Sequence, residues 1–119
     1  MTEKEAQGRG GAELITCVVQ RGHGDKVAKA AANAGAKGAT IFFARGIGAR
    51  DSLGLLGLAI VPEKEVVNIL CKESETAAIF DAIVHEAHLD TPGMGIAYVI
   101  PIGRSAGVLG VDVTAAKPA

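Results

Sequence analysis

The chain has 119 residues, enough for one domain and too few for two. Hydrophobic residues make up 49% of it but aromatics only 3%, so a core must be assembled from Val, Ile, Leu and Ala, with oligomerisation as a source of further burial. Twelve basic against thirteen acidic residues give a net charge of −1 with no Lys/Arg run, which excludes a general nucleic-acid binder that works through a basic footprint.

Residues 1–12 (MTEKEAQGRGGA) are polar and glycine-rich and read as a flexible tail without the apolar stretch of a signal peptide. Glu13 to Gln20 is β-branched and apolar, the pattern of a buried strand. Gly22-His23-Gly24-Asp25 turns the chain into a helix in which Val27, Ala30, Ala31 and Ala34 recur at helical spacing. Asp25 is expected to cap its start and Gly35 to stop it. Thr40 to Ala44 is the second strand. Arg45 to Asp51 is a loop, and Leu55 to Val61 extends a strand out of it until Pro62-Glu63-Lys64 breaks the pattern.

Glu65 to Lys72 is the third strand. Ser74 is expected to cap a second helix, whose apolar face is Ile79, Phe80, Ile83, Val84 and Ala87. Asp90 to Gly95 ends that helix. Ile96 to Ile102 is the fourth strand, and Pro101 near its end marks an edge or a bulge. Residues 109–119 read as a second loose end. The longest apolar stretch, Leu53 to Val61, is interrupted by two glycines and is far short of a membrane span. Cys17 and Cys71 both sit in apolar stretches and are expected to be reduced core thiols. The expected location is the cytoplasm.

Strand–helix–strand thus occurs twice, which predicts an α+β, ferredoxin-like fold: a doubled βαβ unit with a four-stranded antiparallel sheet and both helices on one face. The first strand is apolar on both parities, with Ile15, Cys17 and Val19 on one side and Leu14, Thr16 and Val18 on the other. A strand apolar on both sides must be covered twice. With both helices on one face, the second cover is expected to be other copies of the chain.

Three glycine corners are candidate sites. Gly22-His23-Gly24 opens a helix, where backbone N–H groups attract anions, although a tight turn is the plainer reading. Arg45-Gly46-Ile47-Gly48 follows a strand: glycines let the backbone approach a phosphate, and Arg supplies charge. Pro92-Gly93-Met94-Gly95 occupies the equivalent place in the other half-repeat. His85, Glu86 and His88 do not make a complete metal-ligand set, and no nucleophile elbow, Cys/His pair or Walker pattern is present.

Over residues 13–108 the chain resembles the PII nitrogen-regulatory proteins. The resemblance rests on Gly38-Ala39-Thr40 before the second strand, Arg45-Gly46-Ile47-Gly48 at the base of that family's T-loop (here short, about 46–57), Thr91 to Ile96 at its B-loop (about 91–95), and Arg104 after the last strand. It implies a homotrimer with an adenine-nucleotide cleft between subunits. Gly38 and Thr40 would lie near the adenine, and Asn68 and Leu70 would line the base pocket. Gly46, Ile47, Gly48, Gly93, Met94 and Gly95 would surround ribose and phosphates, with Arg104 reaching phosphate.

The departures from that pattern narrow the ligand. Members that bind ATP and 2-oxoglutarate carry a Lys directly after the B-loop glycine, where this chain has Ile96, and a Gln past the T-loop base, where it has Ala49-Arg50. With less positive charge, AMP or ADP is expected to suit the site better than ATP, since charge-assisted contacts contribute about 1.5–3 kcal/mol each. Arg45 and Arg50 are candidates for a small second anion. Bicarbonate is the natural one, because divergent PII-like proteins linked to carboxysomes and bicarbonate uptake are similar in having an altered T-loop. The expected role is regulation of a transporter or enzyme without catalysis and with no prosthetic group. The alternatives are an ATP- and 2-oxoglutarate-sensing nitrogen regulator, and an acylphosphatase-like enzyme faintly echoed by Gln20-Arg21-Gly22 and Asn68.

Overall fold

In the computed structural model, residues 11–46 and 63–107 are described. The elements run β1 (Ala12–Gln20), α1 (Gly24–Asn33), β2 (Thr40–Arg45), β3 (Glu63–Lys72), α2 (Glu73–Glu86) and β4 (Gly95–Pro101). The four strands form one sheet in the order β2-β3-β1-β4, and every neighbouring pair is antiparallel. This is the doubled strand–helix–strand arrangement that the hydrophobic pattern predicts. The predicted strand over 55–61 lies outside the described residues. β1 begins at Ala12, whose partner is Lys72, so the tail read from composition ends one residue earlier.

Side-chain alternation divides the sheet into two faces. Ile15, Cys17 and Val19 of β1 and Val67, Ile69 and Cys71 of β3 are almost wholly buried. They pack with Val27 and Ala31 of α1 and Ile79 and Ile83 of α2. In each helix these residues are four apart, which places them one above the other on the same side. The alanines at 28, 31 and 34 let α1 come close to the sheet. Both cysteines are free and buried in this core.

The helix starts differ from the local expectation. Neither Asp25 nor Ser74 is a cap. His23 precedes α1 without a side-chain bond, and Asp25 sits in the first turn. The helix's first N–H, that of Gly24, donates instead to the Glu65 carboxylate at 2.6 Å. A Cβ at position 24 would meet that carboxylate oxygen, so a larger residue there would push the Glu65 side chain off the helix start. β3 runs directly into α2, which puts Lys72 at the cap position and Ser74 inside the helix. There the Glu75 carboxylate accepts the Lys72 backbone N–H at 3.2 Å.

The helix ends follow one pattern. Gly35 stops α1 with φ +117°, while Ala36 N–H reaches back to the Ala31 carbonyl at 2.9 Å and Gly35 N–H to Ala32 at 3.1 Å. This is a Schellman motif. α2 closes the same way, with Leu89 N–H on Val84 at 3.0 Å and His88 in the left-handed position at φ +53°, where glycine is usual.

Candidate functional site

The B-loop stretch is fixed from within. Met94 N–H donates to the Thr91 carbonyl at 3.2 Å, with Pro92 second and Gly93 third in the turn at φ +86°. Pro followed by a positive-φ glycine is the signature of a type II turn. Gly95 then opens β4 opposite Val19, at φ +143° and pressed against the Val18 carbonyl. Ile96, the next residue, is 57% exposed.

At the T-loop base, Arg45 ends β2 opposite Glu63, and both are exposed. Gly46 follows, and a Cβ there would sit 3.7 Å from the Lys64 side chain, an ordinary contact. Lys64 is only 9% exposed. Its alkyl stem lies beside the first glycine of the loop, at a position where the sequence pattern predicts a strand break. The signal lay in the continued alternation of Glu63-Lys64-Glu65-Val66, which carries β3 two residues further back. Ile47, Gly48 and Arg50 lie outside the described residues.

Strand directions place these corners at the same end of the sheet but on opposite edges. β2 ends and β4 begins there, with β3 and β1 between them. Three inter-strand steps of about 4.8 Å separate the two edges by about 14 Å. Thr40 and Asn68 are register partners in mid-sheet, and Leu70 pairs with Leu14 one row further on. Gly38, exposed with open space around it, precedes β2, and Arg104, also exposed, follows β4 at the far end. Within one chain the structure therefore brings Thr40, Asn68 and Leu70 together. It leaves the two glycine corners apart, and Arg104 away from both.

The first corner is a turn and not an anion site, because the Gly24 N–H is already taken by Glu65. Nearby, Arg21 pairs with Glu63 at 2.8 Å and lies over the Phe43 ring at 5.9 Å. A groove of about 280 Å³ between α2 and the start of β4 is lined by Phe80, Val84, Leu89, Gly95, Ile96, Ala97 and Asp90. Its lining is apolar apart from one carboxylate, a poor match for phosphate. Among the described residues, no group of three His, Cys, Asp or Glu side chains is placed to hold a metal ion. No helix among them is long and apolar enough to cross a membrane.

Thr16, Cys17 and the open face complete the picture. The sheet face away from the helices carries Leu14, Thr16 and Val18 with Phe42, Val66, Leu70, Ile96, Tyr98 and Ile100. Phe42, Ile96, Tyr98 and Ile100 are each between 42% and 57% exposed. On the covered face, burial pushes the Cys17 thiol up from 9.0 to about 11. The folded state then keeps a proton that the unfolded chain releases above about pH 9, so stability falls as pH rises from about 9 to about 11. The expected loss is about 2 kcal/mol, measured as the difference in urea-unfolding slope against pH between the wild type and Cys17→Ala.

The comparisons agree with this geometry. No curated protein matches the sequence. Among solved structures, PII from Arabidopsis thaliana bound to citrate superposes with a TM-score of 0.61 at 20% identity, covering 78% of each chain. The family model for nitrogen regulatory protein P-II matches residues 12–108. With the doubled strand–helix–strand sheet and this match over most of its length, the chain belongs to the nitrogen regulatory protein P-II family, whose members are signalling proteins rather than enzymes.

Proposed function

We propose that the protein is a cytoplasmic, non-catalytic sensor that binds an adenine nucleotide, AMP or ADP in preference to ATP, in clefts between the subunits of a homotrimer. The observation that carries this reading is the placement of Gly46 and Gly93 to Gly95 at one end of the sheet on opposite edges. One chain cannot close its own corners about 14 Å apart around a phosphate. A rotational assembly sets one copy's β2 edge beside the next copy's β4 edge at the same height. Thr40, Asn68 and Leu70, grouped on the open face near the β2 edge, are the base-pocket residues of this reading, and Gly38 stands beside them. Ile47 and Gly48 are assigned to the phosphates in this reading by the resemblance alone, and Arg104 is the residue assigned to supply charge.

The ligand preference follows from charge. Ile96 stands where the ATP-binding pattern has a Lys, and on the other side the Lys64 stem runs beside Gly46, which makes Lys64 the candidate cation there. A site with fewer cations than the ATP-binding pattern carries suits a short phosphate chain better than a triphosphate. Replacing Lys64 with methionine is expected to weaken ADP binding about tenfold or more, from the loss of one charge-assisted contact, as read by calorimetry. The Arabidopsis PII structure is bound to citrate, a small anion, and that is the support for including a small-anion position in this reading. Arg45 and Arg50 are the residues for it and bicarbonate is the candidate, with a transporter or enzyme as the regulated partner.

The test is calorimetric titration of the full chain with AMP, ADP and Mg-ATP, each alone and with bicarbonate or 2-oxoglutarate. Tightest binding of ADP or AMP, strengthened by bicarbonate, is expected. Tightest binding of Mg-ATP with 2-oxoglutarate would instead establish the nitrogen-sensing alternative, and an absence of nucleotide binding would sink the reading.

A further inference from the structure

The end of β3 that carries Lys64 is fastened from the opposite face of the sheet. β3 starts at Glu63, and Lys64 is in the last row paired on both sides, with Ala44 of β2 and Gln20 of β1. Alternation turns Lys64 to the open face and its neighbours Glu63 and Glu65 to the helix face. Both carboxylates are bound there by the turn that joins β1 to α1. Arg21 Nη1 donates to Glu63 Oε1 at 2.8 Å, and the Gly24 N–H donates to Glu65 Oε1 at 2.6 Å. The Arg21 backbone N–H also donates to the Glu63 carbonyl at 3.3 Å, and its guanidinium lies 5.9 Å from the centre of the Phe43 ring on β2.

A strand end opens at far lower cost than the whole domain unfolds. An exposed ion pair adds little to global stability, but here it acts on that small local free energy. The two side-chain bonds fall on the residues immediately before and after Lys64. With both neighbours held on one face, the pleat directs Lys64 to the other. A cation on a long stem binds an anion less tightly when its root frays, because the root must then be ordered on binding.

We infer that Arg21 and Gly24 are positioning residues: the turn between β1 and α1 clamps Glu63 and Glu65 and so sets Lys64 for the nucleotide phosphates. The inference rests on the nucleotide reading proposed above, in which neither Arg21 nor Gly24 touches the ligand and both act through Lys64. It also gives the first glycine corner a use other than anion binding, since its N–H is directed at Glu65.

Two substitutions in the full chain break the clamp and leave Lys64 in place. Arg21→Met removes the ion pair, and Gly24→Ala puts a methyl group where the Glu65 carboxylate sits. Alanine is the better helix former, so the fold is expected to survive. By calorimetry the double variant is expected to bind ADP about fivefold more weakly than the wild type, or worse. In a Lys64→Met background the same two changes are expected to alter affinity by less than about twofold, a sparing that general structural damage would not show. Arg21→Lys, which keeps the charge, is expected to recover most of the loss caused by Arg21→Met. Without ligand, amide hydrogen exchange is expected to quicken about tenfold over residues 63–66 of the double variant and to stay unchanged over 67–72. Wild-type affinity in the double variant, an equal loss in the Lys64→Met background, or unchanged exchange over 63–66 overturns the clamp and leaves the nucleotide reading standing. A wild type that binds no ADP overturns the nucleotide reading and the clamp's role with it.

Discussion

Gly95→Ala is expected to destabilise the protein by about 3 kcal/mol, among the larger effects available to a single methyl group. Two costs add. The residue sits at φ +143°, a backbone conformation that L side chains rarely adopt. A Cβ built there also meets the Val18 carbonyl inside contact distance, and lies 3.2 Å from Val19 and 3.3 Å from Leu89. The backbone oxygen cannot move aside without breaking the pairing of β1 with β4 that begins at Val19 and Gly95. Urea unfolding followed by circular dichroism gives the number. Gly38→Ala is the control, because nothing lies within 4 Å of a Cβ at that position, and it is expected to fall within about 0.5 kcal/mol of the wild type. Equal midpoints for the two variants would contradict the account.

Tyr98→Asp is expected to dissociate the assembly into folded monomers and to reduce nucleotide affinity by more than a hundredfold. Tyr98 lies in the middle of β4 on the open face, between Ile96 and Ile100. Its side chain is 43% exposed in the single chain, so a carboxylate there is hydrated in the monomer and costs little in fold stability. In an assembly that covers this face, the same carboxylate is desolvated without a partner, at a cost of several kcal/mol. Light scattering gives the mass and calorimetry the affinity. A variant that stays oligomeric, or a monomer that binds nucleotide as tightly as the wild type, would contradict an inter-subunit cleft.

Gly38 and Gly95 show how far the sequence could be read. Both are ligand-facing in the resemblance, but Gly95 is demanded by the fold itself, through contacts with β1 almost eighty residues away in the chain. The strands and the two-sided sheet were legible because alternation is a local signal: Ile15, Cys17 and Val19 turn inward and Leu14, Thr16 and Val18 outward wherever β1 is placed. The stop of α1 was legible for the same reason, since a left-handed Gly35 needs no tertiary partner. The helix starts were not. Glu65 reaches Gly24 from 41 residues away, and this long-range bond overrides the local capping expectation for Asp25. The stop at His88 was hidden because the position holds no glycine. Lys64 was hidden by its neighbour Pro62, which made an edge of the strand look like a break.

The sequence proposes the candidate site as a set of residues and does not disclose how they are arranged. Thr40 and Asn68 prove to be direct register partners, which spacing alone does not disclose. The two glycine corners share an end of the sheet only because β2 ends where β4 begins, a consequence of strand order.

In the proposed reading the cleft belongs to two chains, and the stoichiometry of the loaded protein tests that reading most directly. Native mass spectrometry of the full chain with ADP is expected to show a particle of three times the 12.1 kDa chain mass, carrying up to three nucleotides and none on any residual monomer. ADP bound one to one on a monomer would contradict the account.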